Sequence, residues 1–218
     1  MCGRFVRFTD PDALLRPLGV QWQGPKLPAS YNVAPSQPVL AVRRHHDQRE
    51  AVLLRWGLIP PWAKDKSIGY RMINARAEGI ADKSAYRQPF RRQRCLIPAD
   101  GFYEWRREGG RKQPYYIHRT DGRPMAFAGL WARWQGGEEV IESCTIITGQ
   151  PNTLLAPIHD RMPVILDEAD YKAWLDSDNP LLLEQLLRLY PADELVIHPV
   201  SQAVNNPSHD GPKLIEPA

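Results

Sequence analysis

The sequence predicts an α+β protein with a mostly antiparallel sheet or open β-barrel core and peripheral helices. Three observations lead there. Short runs rich in apolar, β-branched and aromatic residues recur from residue 38 to residue 148. Asp-Gly, Gly-Gly and similar turns separate them, which is the pattern of a meander. Helical patterning is confined to the two ends, and the 21 prolines are spread along all 218 residues, which favours many short elements.

Taken in order, Thr9 to Leu18 reads as a short helix: Thr9 or Asp10 can cap it, Pro11 suits its first turn and Gly19 follows its end. Pro38 to His46 and Arg49 to Arg55 read as two strands joined by a polar turn at Asp47. Trp56 to Trp62 is a Pro-rich apolar loop, and Ile73 to Ile80 fits either strand or loop. Arg94 to Ile97, Phe102 to Arg107, Pro114 to His118, Met125 to Trp134 and Glu142 to Thr148 read as strands. A helix is expected from Asp167 to Leu175, with Asp170 completing a capping box, and another from Pro180 to Tyr190. Glu194 to Val200 is the last predicted strand. With no repeat and no linker, one domain over 1–218 is expected.

The hydrophobic fraction is 43% and the charged fraction 24%, which excludes a disordered or collagen-like chain. No run of 18 apolar residues occurs, so no membrane-spanning helix is expected, and the first residues lack a secretory h-region. Cys2, Cys95 and Cys144 are odd in number and far apart. They form neither a disulfide framework nor a CxxC zinc motif, so no metal is expected and a reducing cytoplasm is the expected compartment. The net charge of +3 conceals an asymmetry. Residues 1–112 carry 21 Lys+Arg against 10 Asp+Glu, and residues 113–218 carry 7 against 15, which is +11 and −8. Arg supplies 21 of the 28 cations, and its planar fork suits phosphate. A polyanionic partner, nucleic acid first, and an ordinary solvated surface with ion pairs both fit this balance.

Cys2 follows the initiator Met directly. Removing Met1 leaves an amine and a thiol on adjacent carbons. With a reference pKa of about 7.7–8.0, part of that amine is neutral near pH 7. Such an aminothiol condenses with an aldehyde to an imine, and the thiol then closes a thiazolidine ring. Gly3 permits close backbone approach, and Arg4 puts a phosphate-binding group beside the thiol. The bland alternative is an incidental second residue.

Glu104 shares a strand face with Phe102 and Arg106, opposite Tyr103 and Trp105. Among aromatics its carboxyl is expected to lose solvent and gain a higher pKa, which suits acid–base work. The alternative is an exposed Glu paired with Arg106 or Lys112. His159 is bracketed by prolines and followed by Asp160 and Arg161, and His titrates near neutrality. Asn74 and Arg76 fall on one face of an extended segment, where one can orient a reacting group and the other grip phosphate, unless Asn74 only shapes a turn. Trp62 either stacks on an unpaired base or covers core. Asn32 to Pro35 is a turn that could line the site.

Six segments together resemble the SOS response-associated peptidase (SRAP) family of abasic-site processing proteins. They are Met-Cys-Gly-Arg-Phe (1–5), Tyr-Asn-Val-Ala-Pro (31–35), Trp-Gly-Leu-Ile-Pro (56–60), Ile-Asn-Ala-Arg-Ala-Glu (73–78), the run from Arg94 to Trp105, and Ile-His-Asp-Arg-Met-Pro (158–163). The resemblance spans essentially the whole chain. It implies covalent capture of abasic sites in single-stranded DNA, with Cys2 as nucleophile and a thiazolidine link. Asn74 would orient the N-terminal residue and sugar, Glu104 would move protons at the amine, and His159 would open the sugar ring and serve in closing or reversing the link. Arg4, Arg76 and Arg161 would hold flanking phosphates, and Trp62 would be a wedge at a single-strand/duplex junction. The resemblance further implies autoproteolytic loss of Met1, for which a general aminopeptidase would serve equally well, and weak lyase activity by β-elimination. A monomer without cofactor or membrane partner, associated with the nucleoid when bound to DNA, is expected. Two rivals stay open: an amidohydrolase using an N-terminal cysteine, and a non-covalent reader of modified or single-stranded DNA.

Overall fold

The computed structural model describes residues 2–218, apart from the side chains of Glu108 and Arg111. Its strands are β1 (Phe5–Arg7), β2 (Ser30–Val33), β3 (Pro38–His45), β4 (Gln48–Trp56), β5 (Asn74–Arg76), β6 (Arg94–Ala99), β7 (Gly101–Glu108), β8 (Arg111–Arg119), β9 (Met125–Gly136), β10 (Glu139–Gly149), β11 (Met162–Pro163), β12 (Ile165–Leu166) and β13 (Leu195–Pro199). The α-helices are α1 (Pro11–Leu15), α2 (Arg87–Arg92), α3 (Tyr171–Asp176) and α4 (Pro180–Gln185). The predicted α+β class is what the chain adopts, with short helices at the periphery.

The barrel starts at the hairpin expected at Asp47. His46 and Asp47 take φ 47° and 62°, left-handed at both central positions, and β3 and β4 pair antiparallel from Pro38–Arg55 to His45–Gln48. β3 also pairs with β6, β6 with β9, and β9 with β10, all antiparallel. β10 returns to β4 in parallel through Ser143–Arg55 and Cys144–Trp56. Five strands therefore close on themselves, and closure removes free edges. A second sheet runs β13-β8-β7-β1-β2. The ambiguous segment after Ile73 resolves as β5, parallel to β10 with Asn74 opposite Ile146 and Arg76 opposite Thr148.

One core cluster joins the sheets: Cys2, Phe5, Trp56, Phe102, Phe127 and Leu155 are all buried in it. Phe5 meets Trp56 at 5.3 Å and Phe127 at 5.9 Å between ring centroids. Fully burying a Phe contributes roughly 1.5–3 kcal/mol, so this ring cluster pins β1 and, through it, the residues that precede β1. β7 alternates as the sequence demands. Phe102 enters that core, while Tyr103 enters a separate cluster with Val6, Tyr116, Val200 and Val204.

The helices are shorter than expected. Asp10 caps α1 by accepting from the Asp12 N–H, but the segment turns to 3-10 geometry over Arg16–Leu18, where Pro17 removes a donor, before Gly19 ends it at φ 70°. The capping box at Asp167 does not form: its side chain makes no cap bond, and Asp167 and Asp170 both accept from Arg188 instead. α4 stops at Gln185, short of the expected Tyr190. No helix is long and apolar enough to cross a membrane among the described residues.

Candidate active site

The register between β1 and β7 delivers Cys2 to its place. Phe5 lies opposite Phe102, and the Tyr103 N–H donates to the Arg4 carbonyl at 3.1 Å. Continued one step, that register sets Gly3 beside Glu104. The Cys2 thiol is fully buried, 4.0 Å from the Arg4 carbonyl. Burial, and secondly the Glu104 carboxylate, push its pKa far up, so the sulfur is held as the neutral thiol.

Glu104 is the central group. It is 1% exposed, and burial raises its carboxyl from 4.5 to about 7. The alternative of an exposed strand Glu is therefore ruled out. Its Oε2 lies 4.0 Å from His159 Nε2. His159 sits in a turn bounded by β10 and β11 that Asn152 organises. The Asn152 side chain accepts from the Leu155 N–H and donates to the Tyr190 carbonyl, and the His159 N–H donates to the Leu155 carbonyl at 3.0 Å. The Arg161 N–H donates to His159 Nδ1 at 3.0 Å. That bond needs a lone pair on Nδ1, so the neutral ring carries its proton on Nε2, facing Glu104. The Asp160 carboxylate, 3.0 Å from Nδ1 and 86% exposed, makes the opposite demand and favours the imidazolium. Burial outweighs it and lowers the His159 pKa, so the ring is neutral around pH 7. A cleft of about 530 Å³ opens on these groups, lined by Glu104, Trp105, Arg107, Lys112, His159 and Asn205.

Asn74 lies at the edge of β10. Its Nδ2 faces the Ile146 carbonyl at 3.5 Å, while its Oδ1 is buried with no hydrogen-bond partner among the described residues. A buried acceptor without a donor costs on the order of 1–3 kcal/mol, a cost that an incoming N–H or O–H would offset. Ile73, just before it, packs on the cluster that holds Cys2.

The arginines divide. Arg76 is exposed and pairs with no carboxylate among the described residues. Arg4 is already engaged: Nη1 donates to Asn32 Oδ1 at 2.7 Å and the Val204 carbonyl at 2.8 Å, and Nη2 to the Asn205 carbonyl at 3.3 Å. Arg161 is engaged too, bidentate to Glu78 at 2.8 and 2.7 Å and to the Thr148 carbonyl at 2.6 Å. Trp62 is 59% exposed on a loop whose base is fixed, with Leu58 and Ile59 buried and Ile59 N–H bonded to Ser143 Oγ at 2.8 Å. The loop covers core through Leu58 and Ile59, while the Trp62 ring stands mostly in solvent. Gly57 makes the loop possible: its φ is 128°, and a Cβ there would lie 2.5 Å from the Gly69 carbonyl oxygen.

Sequence reasoning missed Asn205, Arg107 and the structural part played by Asn32. Asn32 is buried, and its amide donates to the carbonyls of Asn206 at 3.0 Å and His209 at 2.8 Å. The only signal was the Tyr-Asn-Val-Ala-Pro segment itself, because the carbonyls that accept from the Asn32 amide lie more than 170 residues away.

The family described as SOS response associated peptidase (SRAP) matches residues 1–207. The chain is 45% identical to the abasic site processing protein YoqW of Bacillus subtilis, over 99% of each chain. It is 34% identical to the abasic site processing protein HMCES of Mus musculus, over 91% of this chain and 68% of that one. A crystal structure of a protein from Bacteroides thetaiotaomicron superposes with a TM-score of 0.89 at 27% identity, over 100% of both chains. With the family match covering nearly the full length and six motifs in register, the chain belongs to the SRAP family.

Proposed function

We propose that the protein processes abasic sites in single-stranded DNA, capturing the ring-opened sugar covalently on Cys2. The observation that carries this reading is the buried Glu104, poised near neutrality between the Cys2 thiol and the His159 ring. The similar proteins from Bacillus subtilis and Mus musculus are both named for abasic-site processing.

Hydrolysis of the Met1–Cys2 peptide bond comes first and frees the Cys2 amine. The amine adds to the sugar aldehyde to give a carbinolamine. Protonated Glu104 gives its proton to the departing hydroxyl, so water leaves and the C=N bond forms. The thiol then adds across that bond. Sulfur bonds to carbon, the C=N π pair settles on nitrogen, which keeps its own hydrogen, the thiol proton passes to the Glu104 carboxylate and restores its acid form, and the thiazolidine closes. Because the thiol is neutral until this step, it resists oxidation and stray alkylation beforehand. Neutral His159, with its proton on Nε2, serves ring opening of the sugar and reversal of the link. The unpartnered Asn74 Oδ1 is suited to accept from the N-terminal amine or a sugar hydroxyl. The same imine is open to β-elimination when the ring does not close, so a weak lyase activity is part of the proposal. Arg76, Arg107 and Lys112 are exposed cations suited to phosphates, and Trp62 to stacking at a junction.

Intact mass and a denaturing gel test this together. Wild-type protein lacking Met1 is expected to form a gel-stable adduct with abasic single-stranded DNA, and Cys2→Ala none. DNA affinity without any adduct from the wild type would leave the non-covalent reader. Glutamine hydrolysis without DNA would favour the amidohydrolase.

A further inference from the structure

We propose that Glu78 is a positioning residue for this chemistry: its carboxylate clamps the Arg161 guanidinium, and the Arg161 backbone N–H then fixes the His159 ring with Nε2 toward Glu104. The inference deepens the covalent-capture reading and rests on it for its kinetic consequence.

The chain of contacts is continuous. Both Glu78 oxygens accept from Arg161, at 2.8 and 2.7 Å. The Thr148 carbonyl accepts a third Arg161 hydrogen bond at 2.6 Å, and also accepts from the Ala77 N–H at 2.9 Å. The parallel β5–β10 register sets Arg76 opposite Thr148, so one strand pair presents both acceptors to Arg161. From Arg161 the hold passes through its own N–H to His159 Nδ1 at 3.0 Å, and from Nε2 across 4.0 Å to Glu104.

The Arg161 side chain is 13% exposed and the Glu78 side chain 52%, so the pair contributes little to stability by charge alone. What it supplies is geometry, because the guanidinium fork is matched by both carboxylate oxygens. The pairing also lowers the Glu78 carboxyl to about 2, so the clamp stays ionised at any working pH. Asp160, the other charged group at Nδ1, is 86% exposed and belongs to the same turn, so it does not fix the ring by itself.

The experiment compares Glu78→Gln and Glu78→Ala with wild type in two measurements. The first is long-range ¹H–¹⁵N correlation of the His159 imidazole in the DNA-free protein. Wild type is expected to give two distinct nitrogens, protonated Nε2 and unprotonated Nδ1, and both variants an averaged pair. The second is the adduct rate with abasic single-stranded DNA, beside the Kd for the same strand carrying tetrahydrofuran. The rate is expected to fall roughly tenfold, as for a misplaced catalytic group, with Kd unchanged. A wild-type imidazole signature with a wild-type rate would overturn the proposal. So would tighter, more salt-dependent DNA binding at an unchanged rate, because Glu78 would then only compete with phosphate for Arg161. If wild-type protein forms no adduct, the capture reading fails, while the imidazole measurement still decides whether Glu78 fixes His159.

Discussion

Replacing Glu104 with Gln is expected to stabilise the fold at alkaline pH while impairing the reaction. Burial moves this carboxyl from 4.5 to about 7. At about 1.36 kcal/mol per pH unit, that difference corresponds to about 3 kcal/mol. The folded carboxyl is the more easily protonated one, so the folded state binds more protons than the unfolded state between pH 4.5 and about 7. Stability therefore falls as pH rises through that window. Below it both states are protonated and the penalty vanishes; above it both are ionised and the whole penalty is present. Gln never ionises. The stability difference between Glu104→Gln and wild type should thus climb from its pH 4.5 value by about 3 kcal/mol at pH 8. For a chain of this size that is roughly 6–12 °C in Tm. Urea unfolding of both proteins from pH 4.5 to 9 measures it, since other titrating groups cancel in the difference. A difference that stays flat across pH, or one that favours wild type at pH 8, would refute the assignment of Glu104 as a strained buried carboxyl. Adduct formation by the variant should be slower by about 10²-fold or more, the usual size of a general-acid contribution.

Asn32→Ala should cost about 2–4 kcal/mol in urea unfolding, because it removes a buried amide that donates to the carbonyls of Val204, Asn206 and His209 and accepts from Arg4; a loss below about 1 kcal/mol would deny Asn32 its bracing part. Trp62→Ala should leave Tm nearly unchanged, since the ring is 59% exposed. It should weaken binding to a single-strand/duplex junction by about 1–3 kcal/mol in fluorescence anisotropy, the usual worth of one stacked base, and unaltered affinity would remove Trp62 from the interface.

Legibility in the sequence followed the distance over which each feature is decided. The Asp47 hairpin and the alternation along β7 are local, and both were readable from residue order. Glu104 was only partly readable: its aromatic neighbours are adjacent in sequence, but an exposed Glu paired with Arg106 or Lys112 fitted the same residues, and its burial is decided by tertiary packing. The capping box at Asp167 was not, because Arg188 competes for both carboxylates from 21 and 18 residues away. Barrel closure is decided at greater range still, by pairing between residues 55–56 and 143–144. The arginines were hardest. Composition marks them as phosphate ligands, but Arg43 is spent on Glu50 and Glu142, and Arg94 on the carbonyls of Trp174 and Ser177. The basic first half is accordingly less cationic at its surface than its +11 suggests. What an arginine meets depends on partners that local pattern does not encode.

The Arg4 tie has a consequence for the order of synthesis. The groups that hold the Arg4 side chain are the carbonyls of Val204 and Asn205, about 200 residues later in the chain. Asn32 waits for the same stretch through Asn206 and His209. During translation Arg4 therefore emerges long before its anchor exists, while chains grow at about 5–20 residues per second. The thiol is enclosed by other residues, Phe5, Trp56, Phe102 and Leu155 among them. The hold on the Arg4 side chain is thus the late step, set by residues about 200 positions further on.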